Sequence, residues 1–296
     1  MTRFEAGEVI TAMVTPFTKD GNVDYDKVGE LASYLVNNGS DSLLITATTG
    51  ECPTLTNEEE IEILSTVKRA VRNECKVIMG AGSNSTAEAI KYAKLAEKEG
   101  ADAILSVVPY YNKPSQEGMK AHFSAIAEAT KLPIILYNIP SRTGVDMAPE
   151  TVKYLAEKHL NIVGIKQSHS DLDKISEMRD ICPDDFDIYS GDDSLTLPML
   201  ALGAKGVVSV SSHLYGEEMK CMIRDFKEGR VQDALNIHMI LYPMFKKLFM
   251  APNPVPVKAA LSKLGIIKDY VRQPLVMLNY EQKAELFAIM DSIEKE

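Results

Sequence analysis

The chain has 296 residues, of which 45% are apolar, 25% charged and 7% aromatic; this excludes a disordered or collagen-like chain and is enough to bury a large core. The net charge is −10 and the basic residues form no stripe, so nucleic-acid binding has no electrostatic footprint and an anionic ligand must be gripped by local positive groups. Length alone allows one domain or two, because an α/β barrel of roughly 250 residues is a single domain.

Eight short β-rich runs follow in chain order: VITAMVTPF from Val9, SLLITAT from Ser42, KVIMGAG from Lys76, AILSVVPY from Ala103, PIILYNIP from Pro133, IVGIKQS from Ile162, DIYSGD from Asp187 and GVVSVSS from Gly206. Consecutive runs start 19 to 34 residues apart, the span of one strand and one crossover helix. Helix-like stretches lie between them. NEEEIEILSTVKRAV carries Ile61, Leu64, Val67 and Val71 at three- and four-residue spacing, and TAEAIKYAKLAEKEG ends on a glycine C-cap signal. Near-continuous apolar runs such as PIIL and GVVSV suit parallel strands buried on both faces. Eight such units predict a (β/α)8 TIM barrel over residues 1–229, with a doubly wound sheet as the alternative. From about Arg230 the strand pattern stops. VQDALNIHMILYPMFKKLFM, VKAALSKLG and YEQKAELFAIMDSIEKE predict a C-terminal helical extension over 230–296, packed on the barrel or on a neighbouring subunit. Its Met and Phe positions read as core rather than as cofactor contacts.

Barrel enzymes build their sites at the carboxyl ends of the strands, and those ends are polar here. Strand two closes on Thr48-Thr49-Gly50-Glu51, strand four on Tyr110-Tyr111-Asn112, strand five on Tyr137-Asn138 and then Ser141-Arg142-Thr143-Gly144, and strand six on Lys166-Gln167. Lys166 directly continues an apolar run, which aims its amine at the barrel mouth. Burial disfavours an ammonium, and a neutral lysine amine attacks carbonyls; the alternative is a lysine that leaves the strand and snorkels to water. Tyr137, Thr48 and Tyr111 carry hydroxyls that can form a proton-transfer chain above the lysine, or can simply fill a wet rim. The Thr48-Thr49-Gly50 turn can offer backbone N–H groups and two hydroxyls to a carboxylate. Arg142 can hold a substrate carboxylate through two parallel hydrogen bonds, or stand as an ordinary surface arginine.

Other motifs point nowhere else. GAGSNS lacks the third glycine of a dinucleotide fingerprint and reads as a turn and helix start. Ser190-Gly191-Asp192-Asp193 has two aspartates that would repel a phosphate, so helix capping is expected. The five histidines, His122, His159, His169, His213 and His238, form no H-x-H or H-E-x-x-H, so no metal site is expected. There is no G-x-S-x-G elbow. Cys52, Cys75, Cys182 and Cys221 lie far apart without a C-x-x-C, the N-terminus lacks a signal pattern, and no apolar segment approaches the ~20 residues that cross a bilayer. A cytoplasmic protein with reduced thiols and no membrane contact is expected.

Taken together, ITATTGECPTLT, VVPYYNKPSQEG, YNIPSRTGVD, NIVGIK, SGDDSLTLPMLALGAKGVVSV and the late NPVPVKAAL closely resemble the dihydrodipicolinate synthase family of pyruvate-dependent class I aldolases. These blocks span nearly the whole chain. The resemblance implies a (β/α)8 barrel, a homo-oligomer (tetramer or dimer), that condenses pyruvate with L-aspartate 4-semialdehyde on the diaminopimelate route to lysine. It implies no cofactor beyond a covalent imine of pyruvate on Lys166. By motif, Lys166 is the Schiff-base lysine and Tyr137 the proton shuttle; Thr48 links Tyr137 to Tyr111, which in this family reaches in from the neighbouring subunit. Thr49 holds the pyruvate carboxylate, Arg142 the semialdehyde carboxylate, and the backbone at Val208 lines the pocket. Asn84, Glu88 and Tyr110 match the family's lysine-binding allosteric site.

Three departures from the family pattern stand out. Ala47 replaces the glycine of Gly-Thr-Thr-Gly-Glu and should keep a negative φ. Gln167 replaces an acidic residue after the lysine, with His169 nearby. Asn57 and Glu60 stand where lysine-inhibited members carry histidines, which predicts weak or absent inhibition by lysine. Two other readings compete with the synthase: a sister pyruvate lyase acting on a sugar acid, disfavoured by the Ser-Arg-Thr-Gly loop, and a non-catalytic binding barrel, disfavoured by Lys166, Tyr137 and Tyr111.

Overall fold

The eight apolar runs pair as parallel strands that close, in chain order, into a barrel. The structure is a computed structural model and describes residues 4–293. The strands are β1 (Val9–Ala12), β2 (Ser42–Ile45), β3 (Lys76–Gly80), β4 (Ala103–Val107), β5 (Ile134–Asn138), β6 (Ile162–Gln167), β7 (Asp187–Ser190) and β8 (Gly206–Ser209). The helices are α1 (Tyr25–Asn37), α2 (Asn57–Val71), α3 (Thr86–Lys98), α4 (Gln116–Ala129), α5 (Pro140–Thr143), α6 (Pro149–Lys158), α7 (Leu172–Ile181), α8 (Thr196–Ala201), α9 (Ser212–Lys227), α10 (Val231–Lys247), α11 (Val255–Lys263) and α12 (Tyr280–Ile293). This is the (β/α)8 barrel and not the doubly wound sheet. The last predicted helical run continues into 294–296, outside the described residues.

The chain divides into two compact units. One comprises the described residues up to Gly7 together with Val77–Val208; the other comprises Glu8–Lys76 and the described residues from Ser209 onward. The first unit is a succession of βα crossovers. β4, β5, β6 and β7 pair in parallel, with one register shift between Ile134 and Ile135 against β6, after which Tyr137 of β5 lies opposite Lys166 of β6. Apart from the half-buried Val107 and Val163, their residues are buried on both faces because helices cover the outside. Helix starts are set by side-chain caps: Ser85 accepts from the Glu88 amide at α3, Ser115 from the Gly118 amide at α4, and Asp171 from the Asp173 and Lys174 amides at α7. Asp192 caps a short turn by accepting from the Ser194 amide, the role expected of the Ser-Gly-Asp-Asp segment.

In the second unit β1 pairs with β2, α1 packs on α2, and α9 packs on β1 and α10. Thr56 and Glu59 form a reciprocal capping box at α2. His213 of α9 is wholly buried; its Nε2 accepts from the Val14 amide at 3.1 Å and its Nδ1 faces the Val210 carbonyl at 2.8 Å. Burial lowers this imidazole to about 4, so at neutral pH it is uncharged with the proton on Nδ1, donated to Val210. α10 and α11 each pack on α9 and on α12. α11 is apolar nearly all round and buried from Val255 to Leu261. No helix among the described residues is long and apolar enough to cross a membrane, and none of the four cysteines forms a disulfide.

Candidate active site

In the first unit, β6 carries Lys166 on its penultimate position, flanked by buried residues, so the side chain has no route along the strand to water. Lys166 is 7% exposed and Tyr137 5%. The Lys166 amine sits 4.4 Å from the centre of the Tyr137 ring, against the electron-rich face that attracts a cation. Among the described residues it has no ion-pair or hydrogen-bond partner. A Cβ at Gly191 would lie 2.1 Å from Ser168 Oγ and 3.0 Å from Lys166 Cε, so a side chain there would have to displace both. Gln167 points away from this amine, is 1% exposed, and donates to the Met178 sulfur of α7 at 3.6 Å while its Oε1 finds no partner.

Behind the pair lies a carboxylate. Asp146 Oδ1 accepts from Asn138, the residue after Tyr137, at 2.7 Å, and Asn138 Oδ1 accepts from the Met147 amide at 3.2 Å. Lys174 of α7 pairs with Asp146 Oδ2, and His169 Nε2 approaches the same oxygen at 3.3 Å. Burial raises the Asp146 carboxyl, but the Asn138 and Lys174 hydrogen bonds outweigh it and hold the group below its usual range.

The remaining expected residues of this unit are spread around the loops. Arg142 lies exposed on the single turn α5, whose end is fixed by Gly144 at φ +74° and by the Thr143 hydroxyl donating to Val145 O at 2.8 Å. Tyr111 is 89% exposed with φ +72°, and no ring contact or hydrogen bond joins it to Tyr137 within the chain. Tyr110 is exposed, Asn84 accepts on its carbonyl from Asn112 at 2.8 Å, and Glu88 faces Lys91 at 3.5 Å. Val208 is buried on β8.

In the second unit the Thr48–Glu51 loop is held at several points. The Thr15 hydroxyl donates to Gly50 O at 2.7 Å, and Asn253 Nδ2 donates to Thr49 Oγ1 at 2.8 Å. Glu51 Oε1 accepts from Lys258 Nζ of α11 at 2.5 Å and Oε2 from the Arg272 amide at 3.0 Å. Arg272 forks onto Glu59 at 2.8 and 2.5 Å, and the Phe17 ring centre lies 4.1 Å from the Lys258 amine and 4.5 Å from the Arg272 guanidinium. Ala47 keeps a negative φ as expected; the left-handed positions of this segment are Thr46 at +48° and Glu51 at +58°. Thr49 is buried and Thr48 half-buried. Sequence reasoning missed Asn253, Lys258 and Arg272, which lie about 200 residues beyond the loop they hold; the NPVPVK run, with a lysine inside an apolar helix, was a signal for the first two, and none marks Arg272. No group of three or more His, Cys, Asp or Glu able to hold a metal occurs among the described residues.

The profile of the Dihydrodipicolinate synthetase family matches residues 5–293. The chain belongs to this family. It is 49% identical over 293 residues to the 4-hydroxy-tetrahydrodipicolinate synthase of Desulforamulus reducens, covering 99% of each chain. Among solved structures it is similar to the dihydrodipicolinate synthase of Cyanidioschyzon merolae with lysine bound, with a TM-score of 0.96 and 47% identity over 98% of each chain. The dihydrodipicolinate synthase of Bacillus anthracis gives a TM-score of 0.96 at 46% identity, over 98% of this chain and 99% of that one. In this dihydrodipicolinate synthase family member, then, one unit carries a buried lysine over a tyrosine ring, and the other carries a carboxyl-terminal clamp on its threonine loop.

Proposed function

We propose that the protein is a 4-hydroxy-tetrahydrodipicolinate synthase that condenses pyruvate with L-aspartate 4-semialdehyde through an imine on Lys166. One observation carries this reading: Lys166 is buried over the Tyr137 ring with no carboxylate bound to its amine. An amine so placed attacks the pyruvate ketone, Tyr137 relays protons, and water leaves to give an iminium. The iminium is a far stronger electron sink than the ketone, so loss of a methyl proton gives an enamine without a metal. The enamine carbon adds to the aldehyde, and the substrate's own amine then closes the ring and displaces Lys166.

The family resemblance assigns the supporting roles. Thr49 and its amide take the pyruvate carboxylate, Arg142 the semialdehyde carboxylate, and the backbone at Val208 lines the pocket. Thr48 joins Tyr137 to a Tyr111 donated by a neighbouring subunit; the exposure of Tyr111 and its left-handed backbone support a residue built to leave its own chain. The assembly is then a homo-oligomer, a tetramer or at least a dimer, working in the cytoplasm on two small molecules with no further cofactor. The test is to incubate with pyruvate, reduce with borohydride and locate the adduct by mass spectrometry. The adduct is expected on Lys166, and turnover with aspartate semialdehyde but not N-acetylneuraminate. No adduct, or an adduct on another lysine, overturns the reading.

A further inference from the structure

Thr49 and Asn253 are both buried, and the only side-chain hydrogen bond Thr49 makes among the described residues is the one it accepts from Asn253 Nδ2 at 2.8 Å. A hydroxyl has one proton and two acceptor lone pairs. With an amide N–H filling one lone pair, the Thr49 proton has no protein acceptor and must be offered to something else. The amide gives up its own second capability to do this, because Asn253 Oδ1 is buried with no donor, a cost that native structures seldom carry without a reason.

The loop itself does not need Asn253. Gly50 is fixed by Thr15, and Glu51 by Lys258 and the Arg272 amide. The segment around α11 therefore reaches the threonine loop twice: Lys258 holds the Glu51 carboxylate, and Asn253, just before α11, donates to the Thr49 hydroxyl.

We infer that Asn253 is a positioning residue that sets the hydrogen-bond polarity of Thr49, keeping its hydroxyl proton available for a substrate carboxylate. This rests on the reading above that Thr49 binds pyruvate. An aspartate at 253 has the same shape but only accepts, so it captures the Thr49 proton and turns an oxygen lone pair, together with a buried charge, toward the substrate anion.

The test is steady-state kinetics of Asn253→Asp, Asn253→Leu and Thr49→Val, with the double variant Thr49→Val/Asn253→Leu. Asn253→Asp is expected to raise KM for pyruvate about 30-fold or more, with KM for the semialdehyde within about 2-fold of wild type. Asn253→Leu removes the donor without burying a charge, and serves if the aspartate variant does not fold; it is expected to raise KM for pyruvate about 5-fold. On a Thr49→Val background the same change is expected to add nothing further, because the hydroxyl it orients is gone. The inference is overturned if Asn253→Leu leaves KM for pyruvate unchanged, or if its effect adds in full to that of Thr49→Val. Borohydride trapping on the wild type keeps the two questions apart: loss of the Lys166 adduct sinks the function, whereas a normal adduct with an indifferent Asn253 sinks only this role.

Discussion

Two lysines are buried over aromatic rings, one in each unit, and they differ in what surrounds the amine. Lys258 in α11 is fully buried with its Nζ 4.1 Å from the Phe17 ring centre, 2.5 Å from Glu51 Oε1 and 2.9 Å from Tyr270 O. Burial pulls this amine below its ordinary range and Glu51 opposes the shift. Lys166 sits 4.4 Å from the Tyr137 ring centre with no carboxylate or carbonyl bound. Burial and a ring face are common to both; the missing anion is not. A lysine saturated by a carboxylate is a fastener, and one left without it has no anion holding its amine away from a carbonyl carbon.

The sharpest way to break this contrast is to exchange roles by mutation. Lys166→Arg keeps the charge but cannot form an imine, and is expected to lower kcat by about 10⁴-fold or more and to abolish the borohydride adduct, with the urea midpoint little changed. Lys258→Met leaves the Glu51 carboxylate buried and unpaired, so it is expected to cost roughly 3–5 kcal/mol of stability in urea unfolding, while the folded fraction still forms the Lys166 adduct. If Lys258→Met removes the adduct from folded protein, or Lys166→Arg unfolds it, the division of labour is wrong.

Glu60 of α2 sharpens the comparison from the opposite sign of charge. It is a buried carboxyl whose titration burial raises to about 7. A carboxyl with a folded pKa above its unfolded one holds its proton longer in the native state. Its stabilising share is therefore complete below about pH 4.5 and lost as pH rises through about 7. Glu60→Gln removes that dependence, so the variant is expected to gain on the wild type by up to about 3 kcal/mol between pH 5 and pH 8. Equal pH profiles of the two unfolding midpoints would show that Glu60 is solvated.

The sequence showed the fold more fully than the site. Seven of the eight strands begin at the residue read from the apolar runs; β5 begins at Ile134 instead of Pro133, because proline has no N–H to give to the ladder. Strand ends were read too long: β1 stops at Ala12, since Phe17 bridges back to Val23 in a separate turn. The turn α5 went unseen because four residues carry no period. Lys166 and Tyr137 were legible because a polar residue closing a buried strand has only the barrel end to face. The Asn253 and Lys258 contacts were not, because no local pattern links residues 204 and 207 positions apart in the chain.

Asp146 has a mechanical consequence. It ties the segment after Tyr137, through Asn138, to the segment after Lys166, through His169 and Lys174. Tyrosine and lysine therefore share a single bracket, and their spacing is set before any substrate arrives. Accommodation of two successive guests falls instead to side chains outside that bracket, the exposed Tyr111 and Arg142, so that the molecule sets a fixed anvil beside separately mounted fingers.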